Sequence, residues 1–384
     1  MKQAIDPPLK QPATHAERCA WSRYAAKGTL LQPIPRYYAE PDVWNSLTPY
    51  EQTLAKTYAY ARSHPKWPLR GMSAALVLGA VPEYPEYYKY CQITHFSYNR
   101  LSSKSARKTM LVDFRHNPHP LPDELVTQRL EWYGKKADYP IFLLPEKLAF
   151  RFKVINEDYC LVSGLLITCI SQIVIDIFRE VPFEIALPVC EFLARFYRHT
   201  VEDIREYLHA TNPYWRTESV DYKLSLMDLN SPSHAESFAR ARLLAAGFQA
   251  PQLQTQHENL LYSPDRSRIR TLYNEKTMYT DFEWINVFPN TPQPHLVMEV
   301  DGLIKYTDED MLKSIHVQNS AEVALRDHDR DEALHLVGCR VVHVQFIEAL
   351  VNDGASMIRK MKLAGVPESP EEEKIERQKL LRAQ

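Results

Sequence analysis

The stretch HLVMEVDGLIKY, residues 295–306, decides the fold of the last third of this chain. Leu296, Val297 and Met298 form an uninterrupted apolar run, the pattern of a strand covered on both faces. Glu299 and Asp301 close the run. Residues two apart on a strand point to the same side, so the spacing predicts two carboxylates next to one another at a strand end. Strand ends beside glycine are often acidic simply because they are exposed. Here the apolar run argues for burial, and two buried acids on one face cost free energy unless a cation compensates them. Gly302 marks a turn, and Lys305 just beyond it is placed to reach back toward the pair.

Working outward, residues 253–262 and 277–285 read as strands, the second carrying Asp281 in YTDFEW. Residues 339–345 (CRVVHVQ) read as a final, valine-rich strand. A helix is predicted over 233–246, capped by Ser231 or Ser233, with Glu236 in its first turn and Gly247 ending it. A second helix over 321–337 is closed by Gly338. Helix, antiparallel strands, helix and strand make an α/β layout with one mixed central sheet. On this layout Asp281, from a neighbouring strand, joins Glu299 and Asp301 around one ion. Hard oxygen ligands suit Mg2+ or Mn2+, and Lys305 would orient a water or neutralise developing phosphate charge. His335 and His343 read as ordinary polar positions rather than ligands.

The motifs SHAES (233–237), AG (246–247), TDF (280–282), EVDGLIKY (299–306) and RDEALHLVGCRVV (330–342) carry a resemblance to the PD-(D/E)XK nuclease superfamily. The similarity is to the group related to very-short-patch-repair endonucleases. It implies a restriction-endonuclease-like domain over 231–350. By that resemblance Glu236 acts from the first helix, Asp281 is the principal metal ligand and Glu299 takes the acidic place of the (D/E)-X-K element. The lysine of that element, two residues later, is Asp301 here, and Lys305 is the residue offered in its place. Arg330 matches a basic position on the following helix and is expected at a phosphate; a salt bridge with Asp327 or Asp331 is the competing reading. Arg326 and Lys313 complete the expected nucleic-acid-binding set in this domain.

The front of the chain, about 21–195, resembles the type IV abortive-infection antitoxin-like region often joined to such nucleases. The carrying stretches are KGTLLQPIPRYYA (27–39), RGMSAALVLGA (70–80) and VSGLLITCISQIVIDIFREVPFEIAL (162–187). Residues 15–27 look helical, with Ala16, Cys19, Ala20 and Tyr24 at helical spacing, and residues 29–39 form two short extended pieces about a turn. A helix followed by a hairpin is the end of a winged helix-turn-helix, but too few residues precede Lys27 for the complete motif. We therefore expect an α+β N-terminal region with a partial winged-helix element, whose wing carries Arg36 to a phosphate. The expected organisation is a helical and wing-like region (1–80), an α+β middle domain (81–200), a link (201–230), the nuclease-like domain (231–350) and a charged helical tail (351–384). Within the middle domain, strands are expected near 91–98, 109–114, 149–156 and 159–167, a packed loop or edge strand over 83–90, and helices over 171–180 and 182–199.

Charge is balanced, with 46 Lys+Arg against 48 Asp+Glu, so a nucleic-acid surface must be a local patch. The six cysteines lack C-x-x-C or zinc spacing and read as buried or half-buried thiols of a reducing cytoplasm. The polar N-terminus predicts no secretion signal, and the apolar run near 160–178 is too interrupted for a membrane span. Neither phosphate-binding glycine fingerprint is present, nor a G-x-S-x-G elbow. Two functions follow as expectations: a metal-dependent endonuclease acting on DNA, or a non-catalytic, antitoxin-like DNA-binding regulator that keeps the nuclease fold as a scaffold. A cognate toxin or a second copy of the chain is the further partner the resemblance allows.

Overall fold

The computed structural model describes residues 8–64, 67–91, 93–96, 110–113, 152–162, 165–211, 217–263, 275–302 and 320–382. It is mixed α/β, in two compact units: Met1–Val181 with Leu193–Asp221, and Pro182–Phe192 with Tyr222–Gln384. Among the described residues no helix is long and apolar enough to cross a membrane.

In the first unit, the His15–Ala26 helix opens on a reciprocal cap between Thr14 and Glu17, and the Pro49–Ser63 helix on the same device at Thr48 and Glu51. Between them lies a hairpin of β1 (Leu31–Ile34) and β2 (Tyr37–Ala39), with Arg36 exposed at its turn at φ 70°. The first helix forms where the spacing predicts it but buries no residue, meeting the hairpin through Trp21 against Tyr38; Cys19, read as at least half-buried, is exposed, unlike the other five thiols. Residues 83–90 hold a short helix, Pro85–Tyr88, rather than a strand. Proline at its first position needs no amide partner there. β3 (Ile93–Phe96) and β4 (Met110–Asp113) pair in parallel, and β5 (Phe152–Val154), β6 (Tyr159–Val162) and β7 (Leu165–Thr168) form an antiparallel meander. The single strand expected over 159–167 is thus a hairpin. The buried Ile170–Glu180 helix presents Asp176 and Glu180 to Arg70, whose guanidinium is 2% exposed. A cation that deep persists only when paired.

The second unit is built on a four-stranded sheet in the order β11-β10-β9-β8, where β8 is Gln252–Glu258, β9 Thr277–Trp284, β10 His295–Asp301 and β11 Cys339–Gln345. β8, β9 and β10 run antiparallel, while β10 and β11 run parallel across the Ser320–Leu336 helix. The mixed sheet and its flanking helices therefore form as the hydrophobic pattern requires. Leu296, Val297 and Met298 are fully buried, so β10 is covered on both faces. On one face Val297 packs with Met278, Cys339 and with Ala333 and Leu334 of the Ser320–Leu336 helix. The alternate residues Leu296 and Met298 point the other way, and the His234–Ala245 helix also packs against β10.

Two parts of the chain are arranged differently from the expected organisation. Residues 201–230, read from their polarity as a short helix plus an exposed link, hold two helices, Val201–Thr211 and Thr217–Ser225. Residues 182–192 join the second unit because Glu191, fully buried, is ion-paired to Arg240 and accepts hydrogen bonds from the Ser237 hydroxyl (2.6 Å) and the Asp228 amide (2.7 Å). The charged C-terminal segment is not simply solvated either. Phe248 bridges to Glu368, Arg377 donates to the Leu244 and Phe248 carbonyls, and Leu380 and Leu381 are buried.

Candidate functional site

The predicted acidic residues lie toward one end of the β8–β11 sheet. The β9–β10 register, Leu296 with Trp284, Val297 with Glu283 and Met298 with Phe282, brings Asp281 next alongside Glu299. Asp281 then leaves the ladder pattern: its Oδ2 accepts the Val300 amide N–H at 2.9 Å. The carboxylate thus takes the place of a backbone acceptor, which fixes it to the strand that carries Glu299.

Glu299 is 8% exposed. Burial first, and the negative charge of Asp281 second, push its carboxyl up to about 7, against a lowering contribution from Arg330 and His343. Arg330, on the Ser320–Leu336 helix, lies 3.3 Å from both Glu299 oxygens and also donates to the Tyr279 carbonyl. Its partner is therefore neither Asp327 nor Asp331, the neighbours proposed for it from the sequence. A helical residue reaches the sheet it packs on as readily as its own helix surface.

Asp301 does not join this pair. Its Oδ2 lies 3.0 Å from His343 Nδ1, and the His343 Nε2 lies 3.0 Å from Asp331. The two carboxylates push the imidazole up to about 10, so at neutral pH it is a cation donating to both. The Asp281, Glu299 and Asp301 oxygens accordingly do not gather into one three-carboxylate cluster. Among the described residues, the group whose ligand atoms all lie within 4.8 Å of one another is His257, Glu283 and Cys339. Asp301 was assigned to the metal set by its spacing alone. In the fold it is held by His343, which Asp331 braces from the other ring nitrogen.

Glu236 approaches from the helix side. Ser233, not Ser231, is the N-cap of the His234–Ala245 helix, and its hydroxyl lies 2.7 Å from Glu236 Oε1. Gln254 Nε2 lies 3.4 Å from Glu236 Oε2. Gln254 adopts φ 50° and falls opposite Asp281, at the point where the regular β8–β9 pairing skips a step. It therefore links Glu236 to the Asp281 neighbourhood. Lys305 and Lys313 lie outside the described residues. Arg326 falls on the Ser320–Leu336 helix, and Arg36 belongs to the other unit.

The sequence reading took His343 for an ordinary polar position and Asp331 only for a neighbour of Arg330, and it did not single out Gln254. His343 did carry a readable signal: it shares strand parity with Cys339 and Val341, and is register partner to Glu299. The strained Gln254 had none. No protein-family model matches the chain, and neither the curated proteins nor the solved structures compared with it give a match.

Proposed function

We propose that the second unit is a PD-(D/E)XK-like, Mg2+- or Mn2+-dependent endonuclease acting on DNA. The order helix, β8, β9, β10, helix, β11, with only the last pair of strands parallel, supports this reading. The observation that carries it is the placement of half-buried Asp281 alongside buried Glu299 on adjacent strands, with Glu299 pushed up to about 7 partly by Asp281. Like charges held together in low dielectric are the condition a dication relieves.

The two carboxylates fit the hard-oxygen preference of Mg2+ or Mn2+. Such an ion, when bound, polarises a phosphate and lowers the pKa of a coordinated water. Asp281 and Glu299 are the residues that would hold it. The Val300 amide keeps Asp281 oriented, and Ser233 and Gln254 keep Glu236 turned toward the same end of the sheet. Arg330 neutralises Glu299 in the free protein and is the group best placed to pass to a phosphate oxygen of bound DNA. Lys305 is offered for the lysine that Asp301 replaces, to hold a water or stabilise charge, and Lys313 and Arg326 for nucleic-acid contacts.

Incubation of the purified chain with plasmid and manganese tests this. Cleavage that disappears in Asp281→Ala supports it. Absence of cleavage of every DNA form, together with no calorimetric manganese signal, removes it. One observation favours a second reading. Arg330 and the His343 cation already compensate Glu299 and Asp301, as expected of a nuclease fold kept as the scaffold of an antitoxin-like regulator. That protein would shift DNA sequence-selectively in the presence of chelator, with affinity falling linearly in log salt.

A further inference from the structure

We propose that His257, Glu283 and Cys339 form a zinc site, separate from the carboxylate end of the sheet. The three residues come from β8, β9 and β11, and their ligand atoms lie within 4.8 Å of one another. His257 Nε2 is 2.7 Å from Glu283 Oε2 and 3.9 Å from Cys339 Sγ. Tetrahedral zinc with ordinary bond lengths holds nitrogen and oxygen about 3.3 Å apart, and nitrogen and sulfur about 3.5 Å apart. The two His257 contacts are therefore each within about half an ångström of those separations.

Burial and charge point the same way. Glu283 is 2% exposed and Cys339 wholly buried, while the His257 side chain keeps 13% of its surface. Among the described residues the Glu283 carboxylate is met by His257, by His295 Nδ1 at 3.6 Å and by the Thr280 hydroxyl at 3.2 Å, and by no lysine or arginine. A carboxylate that deep needs a cation. His295 Nδ1 also accepts the Asn286 amide N–H at 3.3 Å. Nδ1 of His295 is thereby occupied as an acceptor, and the Thr280 hydroxyl is the group that steadies Glu283 from outside the sphere, as outer partners orient ligands in metal sites. Burial, with Glu283 and Glu299, pushes the free thiol up to about 12. A bound dication reverses that by taking the thiolate and releasing its proton.

A nitrogen, oxygen and sulfur donor set selects zinc over the hard ions expected at Asp281 and Glu299. The fourth position belongs to water, which reaches the partly exposed His257 edge. Cys339 pairs with His295 at the start of β10, while His343 pairs with Glu299. On β10 and β11 the Cys339 and His343 positions are four residues apart, whereas on β9 Glu283 is only two residues from Asp281, so the two sites adjoin along the sheet. Zinc here would tie β8 and β9 to β11, and so hold the sheet on which the Asp281–Glu299 pair is displayed.

The test is Co2+ substitution of the reduced, metal-stripped full-length chain, followed by its absorption spectrum. A thiolate-to-cobalt charge-transfer band that saturates at one equivalent, is displaced by Zn2+ and survives Cys19→Ser and Asp281→Ala is the expected result. Cys339→Ser and, independently, His257→Gln should abolish or shift it. A folded wild-type chain without the band overturns the proposal, and needs no variant to do so. A band that persists unchanged in folded Cys339→Ser overturns it as well.

Discussion

Replacing Glu299 by glutamine should stabilise the metal-free protein while destroying its proposed function. The carboxyl has an ordinary value of 4.5 and is raised to about 7 in the fold, by burial and by Asp281. A group raised in the folded state contributes stability that is full below its unfolded value and is lost as pH rises through the folded one. The window is therefore about pH 4.5 to 7, and the loss at its upper end is about 3 kcal/mol from the displacement of the titration. Because Glu299 is only 8% exposed, solvent screening removes little of this. Glutamine imitates the protonated acid and escapes the loss. Urea denaturation in chelator at about pH 4 and at pH 8.5 should show wild type and Glu299→Gln nearly equal at the lower pH, which lies below the unfolded value. The variant should be more stable by about 1–3 kcal/mol at the higher pH. Adding Mn2+ should then raise the wild-type midpoint and leave the variant unmoved. A variant less stable than wild type at pH 8.5, with an unchanged pH slope, would show that Arg330 more than repays the burial of this charge, and the argument for a cation-seeking site would fall.

Other outcomes follow from the same geometry. Ser233→Ala removes the cap of the His234–Ala245 helix and one hydrogen bond to Glu236; it should cost about 1 kcal/mol by thermal or urea unfolding and lower manganese-dependent cleavage more than it lowers stability. Arg240→Met leaves Glu191 buried without its cation, and should cost about 3–5 kcal/mol, read as a lower denaturation midpoint of the unit formed by residues 182–192 and 222–384. Glu191→Gln in that background should recover part of the loss.

Much of the second unit was legible because its signals are local. The apolar run 296–298 requires a doubly covered strand, the valine-rich 339–345 segment a second one, and Gly338 the helix stop between them at φ 88°. The Ser233 cap is written in three residues. Asp281 and Glu299 could be placed on neighbouring strands because a period of two and a hairpin order leave few registers. The illegible features are all choices among partners. Arg330 had Asp327 and Asp331 close in sequence and took Glu299 across the helix–sheet interface. Asp301 had the right spacing to join Glu299 and instead met His343. The first helix shows the same limit: Ala16, Cys19, Ala20 and Tyr24 have helical spacing, yet none of them is buried, and the ring contact the helix makes is from Trp21 to Tyr38.

By itself, then, the sequence determined which segments become strands and helices in the second unit, and that two acids close a buried strand. Only tertiary structure decided which cation each acid receives, that residues 182–192 belong with the β8–β11 sheet, and that His257, Glu283 and Cys339 meet. The physical reason is one of range. Hydrogen-bonded periodicity and capping act over a few residues, whereas the desolvation of a charge is settled by whichever opposite charge the finished fold brings within about 4 Å.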